Sequence, residues 1–179
     1  MKIQKSNWLC QTDLKNRVRF FLGENGPEPL ICIGVNPSTA GLDELDPTMR
    51  AVKRHSLQKN YSGWIMLNLY PQRATDPNRI HKRINRELHR QNLLQIGHIL
   101  EQYPHAPVWA AWGNLIEKRS FLIPCLRDIL HQTDILSNEW ICMGDLTKAG
   151  HPRHPLYLPK SASVNSFYPT QYIRGQLPS

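Results

Sequence analysis

Four short apolar segments recur along the chain with helix-patterned sequence between them: Leu30–Val35, Gly63–Leu69, Pro107–Trp112 and Trp140–Met143. Apolar runs without polar alternation suit strands covered on both faces. Strands separated by helices join in parallel through crossovers. The spacing predicts a three-layer α/β/α domain around a four-stranded, mainly parallel central sheet. It treats residues 1–179 as one domain, a length that can bury a substantial core.

Helix signals fill the gaps. Asp46-Pro47 reads as an N-cap followed by proline at the first helical position, opening a helix to about Asn60 with Met49 and Val52 turned inward. Asp76-Pro77 reads the same way, and Ile80, Ile84 and Leu88 keep helical spacing that Leu93, Ile96 and Leu100 continue. Asn85 offers a cap inside that stretch, so one helix and two both fit. Pro124, inside "SFLIPCLRDILHQ", is expected to start a further helix. Within residues 1–29, "NWLCQ" and "RVRFFL" alternate like a small hairpin. Residues 144–179 hold Pro152, Pro155, Pro159 and Pro169 and read as a mostly irregular tail closing a pocket.

Hydrophobic residues make up 40% of the chain and charged ones 20%, values of a globular protein. No apolar run approaches the roughly 20 residues of a membrane span, and Met1–Lys5 leads into no signal-peptide core. The expectation is a cytoplasmic protein with no membrane partner. The four cysteines are far apart and form no CxxC pair, and His81, His89, His98 and His105 show no ligand spacing. No metal and no other cofactor is expected. GxSxG, P-loop, GxGxxG and HExxH motifs are absent. The net charge of +8 suits a polyanionic partner, here nucleic acid with DNA favoured, since phosphate contacts release counterions. Lys82, Arg83, Arg86 and Arg90 cluster in one segment, as a solvated face also would.

The polar residues at the strand ends carry the functional argument. The first strand delivers Gly34-Val35-Asn36-Pro37-Ser38-Thr39, the second Asn68 and the third Trp112-Gly113-Asn114; "TKAGHPRHPLYLP" follows the fourth. In a parallel sheet these turns open on one edge, where α/β proteins bind ligands.

The series resembles the uracil-DNA glycosylase superfamily, in which a Gly-x-Asp/Asn-Pro turn, a strand ending in Leu-Leu-Asn, a Leu-Trp-Gly strand and a His-Pro loop follow in order. Here they are Gly34–Pro37, Met66–Asn68, Ala111–Gly113 and either His151-Pro152 or His154-Pro155. A closer resemblance is to the bacterial family catalogued as domain of unknown function 1643. Its marks appear as Asn36–Ala40, Asp46–Thr48, Asn68-Leu69 with Arg73–Pro77, Trp112-Gly113 and His154–Leu158. That pattern selects His154 over His151.

The glycosylase resemblance implies base excision. Asn36 would position water, Asn68 would read the base edge and a neutral His154 would donate to the base oxygen. Pro37, Ser38, Thr39, Arg73, Asp76, Trp112 and Tyr157 complete the expected substrate-binding set. Each has a plainer counterpart: Asn36 as a loop staple, Asn68 as a satisfied strand-end amide, Asp46 and Asp76 as helix caps. Asn36 stands where the most active branch carries Asp, and no stacking aromatic follows Pro37. The alternatives are a non-catalytic nucleotide or nucleic-acid binding module, or an enzyme on a small phosphorylated metabolite gripped by Arg73.

Overall fold

The computed structural model describes residues 7–38, 41, 44–133 and 138–176. A hairpin opens the fold, with β1 (Trp8–Thr12) antiparallel to β2 (Arg19–Glu24). Then come β3 (Pro29–Gly34), α1 (Pro47–Gln58), β4 (Gly63–Asn68), α2 (Arg86–Gln102), β5 (Val108–Ala110), α3 (Leu122–Thr133), β6 (Trp140–Met143), β7 (Val164–Ser166) and α4 (Pro169–Gln176). The result is a mixed α/β fold around one seven-stranded sheet of order β1-β2-β4-β3-β5-β6-β7.

The four apolar segments form the parallel centre, β4-β3-β5-β6. The sheet nevertheless has seven strands where the sequence predicts four. A four-stranded sheet would leave β4 and β6 as open edges with unpaired backbone groups. The hairpin covers one edge, β2 lying antiparallel to β4 with Leu22 opposite Met66. The tail covers the other, β7 lying antiparallel to β6. The described part of the tail, residues 144–176, is thus less irregular than expected, since it holds β7 and α4.

The segment after Asp76 contains a break. Asp76 caps a single 3-10 turn, Pro77–Arg79, and Asn85 then caps α2 by accepting the N–H of Leu88 at 3.0 Å. α3 starts two residues before Pro124, which therefore sits in its first turn, where a missing N–H leaves no bond unmade. The period-2 alternation of the central strands splits the core in two. Ile31, Ile33, Ile65 and Leu67 pack with residues of α2 and α3, whereas Leu30, Cys32, Trp64 and Met66 pack with Met49 and Val52 of α1. Gly34 and Asn68 are register partners, in step with the pair Cys32 and Met66, so both belong to the α1 face.

Candidate functional site

Backbone hydrogen bonds fasten the strand-end turns to one another in pairs. Beyond β3 and β4, Leu69 N–H donates to Gly34 O (2.9 Å), Tyr70 N–H to Val35 O (3.0 Å) and Ala74 N–H to Pro37 O (2.9 Å). Asn36 adds a side-chain bond to this seam: its Nδ2 donates to Ala74 O at 2.8 Å and to Pro37 O at 3.1 Å. Its amide nitrogen is a staple between loops. The carbonyl oxygen, at the other end of the amide, is what Asn36 can offer to a ligand or a water. Beyond β5, Gly113 N–H donates to Pro152 O at 2.9 Å. Gly113 has φ +57°, and a Cβ there would lie 3.1 Å from the Cβ of His154, so a glycine lets the His154 loop close on the β5 turn.

At the end of β4, Asn68 is 1% exposed, and its Oδ1 is a buried acceptor without a hydrogen-bond partner. Its backbone is secured separately, by Asn92 Nδ2 donating to Asn68 O at 2.8 Å. Beside the side chain stands Gly34. A Cβ added there would sit 3.2 Å from Asn68 Oδ1 and 2.6 Å from Met66 Cε. An orphaned buried acceptor costs about 1–3 kcal/mol, which a ligand N–H would recover.

On the same face lie four charged or titratable side chains. Asp46, the N-cap of α1, accepts the N–H of Met49 at Oδ1 (2.7 Å) and the hydroxyl of Ser38 at Oδ2. His154 caps the Pro155–Tyr157 turn, which packs on α1, and its Nδ1 accepts the N–H of Leu156 at 3.3 Å. In the neutral ring the proton is therefore on Nε2. Burial pushes the His154 pKa down to about 4, with the nearby Asp46 carboxylate opposing the shift. His154 is thus a neutral donor at pH 7.

Arg19 is 2% exposed, and its pKa is lowered to about 10 by burial and by the neighbouring Arg73, against the pull of Cys10 and Asp46. Arg73 in turn donates from Nε to Ser38 O at 3.0 Å and also holds Asn16 Oδ1. Arg19 is the residue that sequence reasoning missed, because an arginine opening a strand reads as surface. The β1–β2 register shifts between Gln11 and Thr12 and leaves Phe20 with no partner. Such a bulge re-aims the bulged residues onto one face, here bringing Arg19 inward.

Of the other expected site residues, Trp112 and Asp76 lie away from these groups, whereas Pro37 and Tyr157 stand beside them. Trp112 is fully buried in the opposite core layer, against Trp140 and Phe167. Its Nε1–H donates to Tyr172 Oη (3.2 Å), Tyr172 meets His151 Nδ1 (2.7 Å), and His151 Nε2 meets Glu117 (2.8 Å). Both ring nitrogens of His151 are used inside the fold, whereas His154 keeps Nε2–H to give. Asp76 is exposed and caps its turn through Asn78 N–H at 2.9 Å. Pro37 is buried in the turn, and Tyr157 lies 75% exposed with its ring 5.8 Å from that of His154, on the rim. Thr39 falls outside the described residues. Among the described residues no three His, Cys, Asp or Glu side chains are grouped to hold a metal ion.

No curated protein and no solved structure matches the chain. A family model described as "Protein of unknown function (DUF1643)" matches residues 19–156, which include the turns after β3, β4 and β5 and His154. The chain belongs to the DUF1643 family.

Proposed function

We propose that this protein recognises a nucleobase in nucleic acid and excises it by hydrolysing the N-glycosidic bond, in a fold of the uracil-DNA glycosylase type. The observation that carries the reading is the unpartnered Oδ1 of Asn68, buried at a strand end with Gly34 beside it. That oxygen calls for a ligand N–H, and the edge of a base that has left its stack supplies one. Its position on the α1 face, with His154 and Asp46 on that face, supports a single pocket. So does a parallel centre whose first two motif strands lie side by side.

In this reading Asn68 accepts from the base edge, and the Nε2–H of His154 donates to a base oxygen as negative charge builds there. Water adds to the anomeric carbon of the sugar, and the bonding pair leaves with the base, which is then protonated. The carboxylate that Asn36 does not provide is supplied by Asp46, whose charge stabilises the cationic sugar. Asn36, held by its nitrogen, presents its carbonyl to the water. Tyr157 offers an aromatic face at the rim to a neighbouring base. The charge of +8 suits the polyanionic substrate.

The test uses single-stranded 20-mers, each carrying one uracil, hypoxanthine, xanthine or alkylated purine, followed by alkaline cleavage at abasic sites. Release from at least one, lost in His154→Ala, is expected. The second reading, a binding module without catalysis, is favoured by one observation: the amide nitrogen of Asn36 is committed to Ala74 and Pro37. Binding of a base-bearing oligomer without release of any base decides for that module.

A further inference from the structure

A groove of about 790 Å³ runs between the β1–β2 turn and the start of α2; Asn68 does not line it, but Arg73, which does, also bonds the Ser38 carbonyl beyond β3. Its cations are Lys15 and Arg17 on the turn and Arg73 on the loop after β4. Its two acids are already committed. Asp13 Oδ1 accepts the N–H groups of Arg17 (2.7 Å) and Val18 (2.8 Å), closing the turn. Glu87 is gripped by Arg90 through two bonds of 2.9 and 2.7 Å. His81 adds a donor, since the Tyr70 hydroxyl accepts from Asn85 N–H (3.1 Å) and meets His81 Nδ1 (2.7 Å), leaving Nε2–H outward. The exposed Lys82, Arg83 and Arg86 follow along the chain on either side of Asn85, another lining residue. The cationic segment singled out in the sequence therefore borders this groove. At the tip of the turn Leu14 is completely exposed, between Asp13 and Lys15.

We propose that this groove seats the sugar-phosphate backbone of a single nucleic-acid strand, a second binding surface that leads the strand to or from the base pocket. Charge complementarity selects the occupant. Lys15, Arg17 and Arg73 face Asp13 and a Glu87 already paired by Arg90, with Lys82, Arg83 and Arg86 alongside. This excess of positive charge suits evenly spaced phosphates. Arg73 supplies the continuity, because the guanidinium that lines the groove also holds the Ser38 carbonyl in the turn of the base site. Leu14, fully exposed, gives an apolar surface to an unstacked base beside those phosphates. The ligand class rests on the base-recognition reading, whereas the location of the groove does not.

The experiment measures binding of fluorescent 20-mers of single-stranded DNA, single-stranded RNA and duplex DNA to the full chain at several salt concentrations. Lys15→Glu with Arg17→Glu is compared with an equal charge change outside the groove, Lys148→Glu with Arg174→Glu. All four residues are exposed, so both variants should melt like the parent. The groove pair should weaken single-strand binding at least tenfold and flatten the log–log salt slope by about 1.4, from about 0.7 per phosphate contact. The control pair should change affinity less than twofold, and Leu14→Ala should weaken binding several-fold. Whichever single strand binds more tightly names the polymer. Equal losses in both pairs, tighter binding of duplex, or no binding of any oligomer by the parent protein would overturn the proposal. Base recognition is read separately through Gly34→Ala, so either idea can fail while the other stands.

Discussion

Replacing Gly34 by alanine separates a ligand-reading Asn68 from a merely structural one. The added methyl would arise 2.6 Å from Met66 Cε and 3.2 Å from Asn68 Oδ1. The first contact is with the free end of a flexible side chain, which moves aside at an overpacking cost of about 1–2 kcal/mol. Gly34 lies in a strand, where alanine recovers roughly 0.5–1 kcal/mol of backbone entropy. The net loss is about 1 kcal/mol, or about 2–4 °C in Tm for a chain of this size. The second contact sets the functional effect. A methyl that close to the acceptor cannot donate and stands where a ligand N–H would approach. Losing that hydrogen bond costs about 1–3 kcal/mol, a fall of roughly 5- to 150-fold in affinity. Calorimetric melting gives the first quantity, and titration with base-bearing oligomers, or single-turnover release where a base is excised, gives the second. If Gly34→Ala binds and releases as the parent does while melting only a few degrees lower, Asn68 Oδ1 is no ligand contact and the reasoning is wrong.

Protonation of His154 gives a further expectation. Its folded pKa of about 4 lies below the unfolded value of about 6.5, so the unfolded chain takes up this proton first as pH falls. The contribution is complete above about pH 6.5 and is lost on falling to about 4, by at most about 3 kcal/mol; denaturation curves of parent and His154→Gln should therefore converge in acid. Base release should stay flat down to about pH 5 and fall below it, and a fall centred at pH 6.5 would contradict a neutral donor. Asn36→Ala should lower stability by about 1 kcal/mol, seen in melting, because Ala74 O and Pro37 O lose a donor. If Asn36 also positions water, release drops roughly 100-fold, and unchanged release removes it from the chemistry. Trp112→Phe should cost about 2 kcal/mol through lost ring volume and the lost bond to Tyr172, with ligand affinity unchanged. Weaker binding at unchanged stability would return Trp112 to the site.

The central strands were legible because burial on both faces leaves an apolar signature without alternation, which Ile31–Ile33 and Ile65–Leu67 carry plainly. The cap residues Asp46, Asp76 and Asn85 were legible too, since capping is local chemistry. The outer strands were harder. β7 is three exposed residues, Val164–Ser166, and its pairing is decided by the open edge of β6 rather than by its own composition. Within the site, strand order along the chain indicated which turns open on one edge but not which way a side chain leaves its turn. Trp112 shares its motif with Gly113, yet goes to the far layer while Gly113 meets His154. Arg19 was invisible because its burial follows from a one-residue slip in a hairpin, a long-range feature no short motif encodes.

The pairwise fastening of the turns has an evolutionary consequence. Asn36 and Asn68 belong to a rim unit made by the β3 and β4 turns, tied by backbone bonds from Gly34 to Ala74. His154 belongs to another, tied to the β5 turn through Gly113 and Pro152. Substitutions in the first unit can therefore accumulate without loosening the hydrogen bond and close approach that hold His154 in the second. Under the proposed function, a lineage built this way could change the base edge read at Asn68 while His154 stays in place.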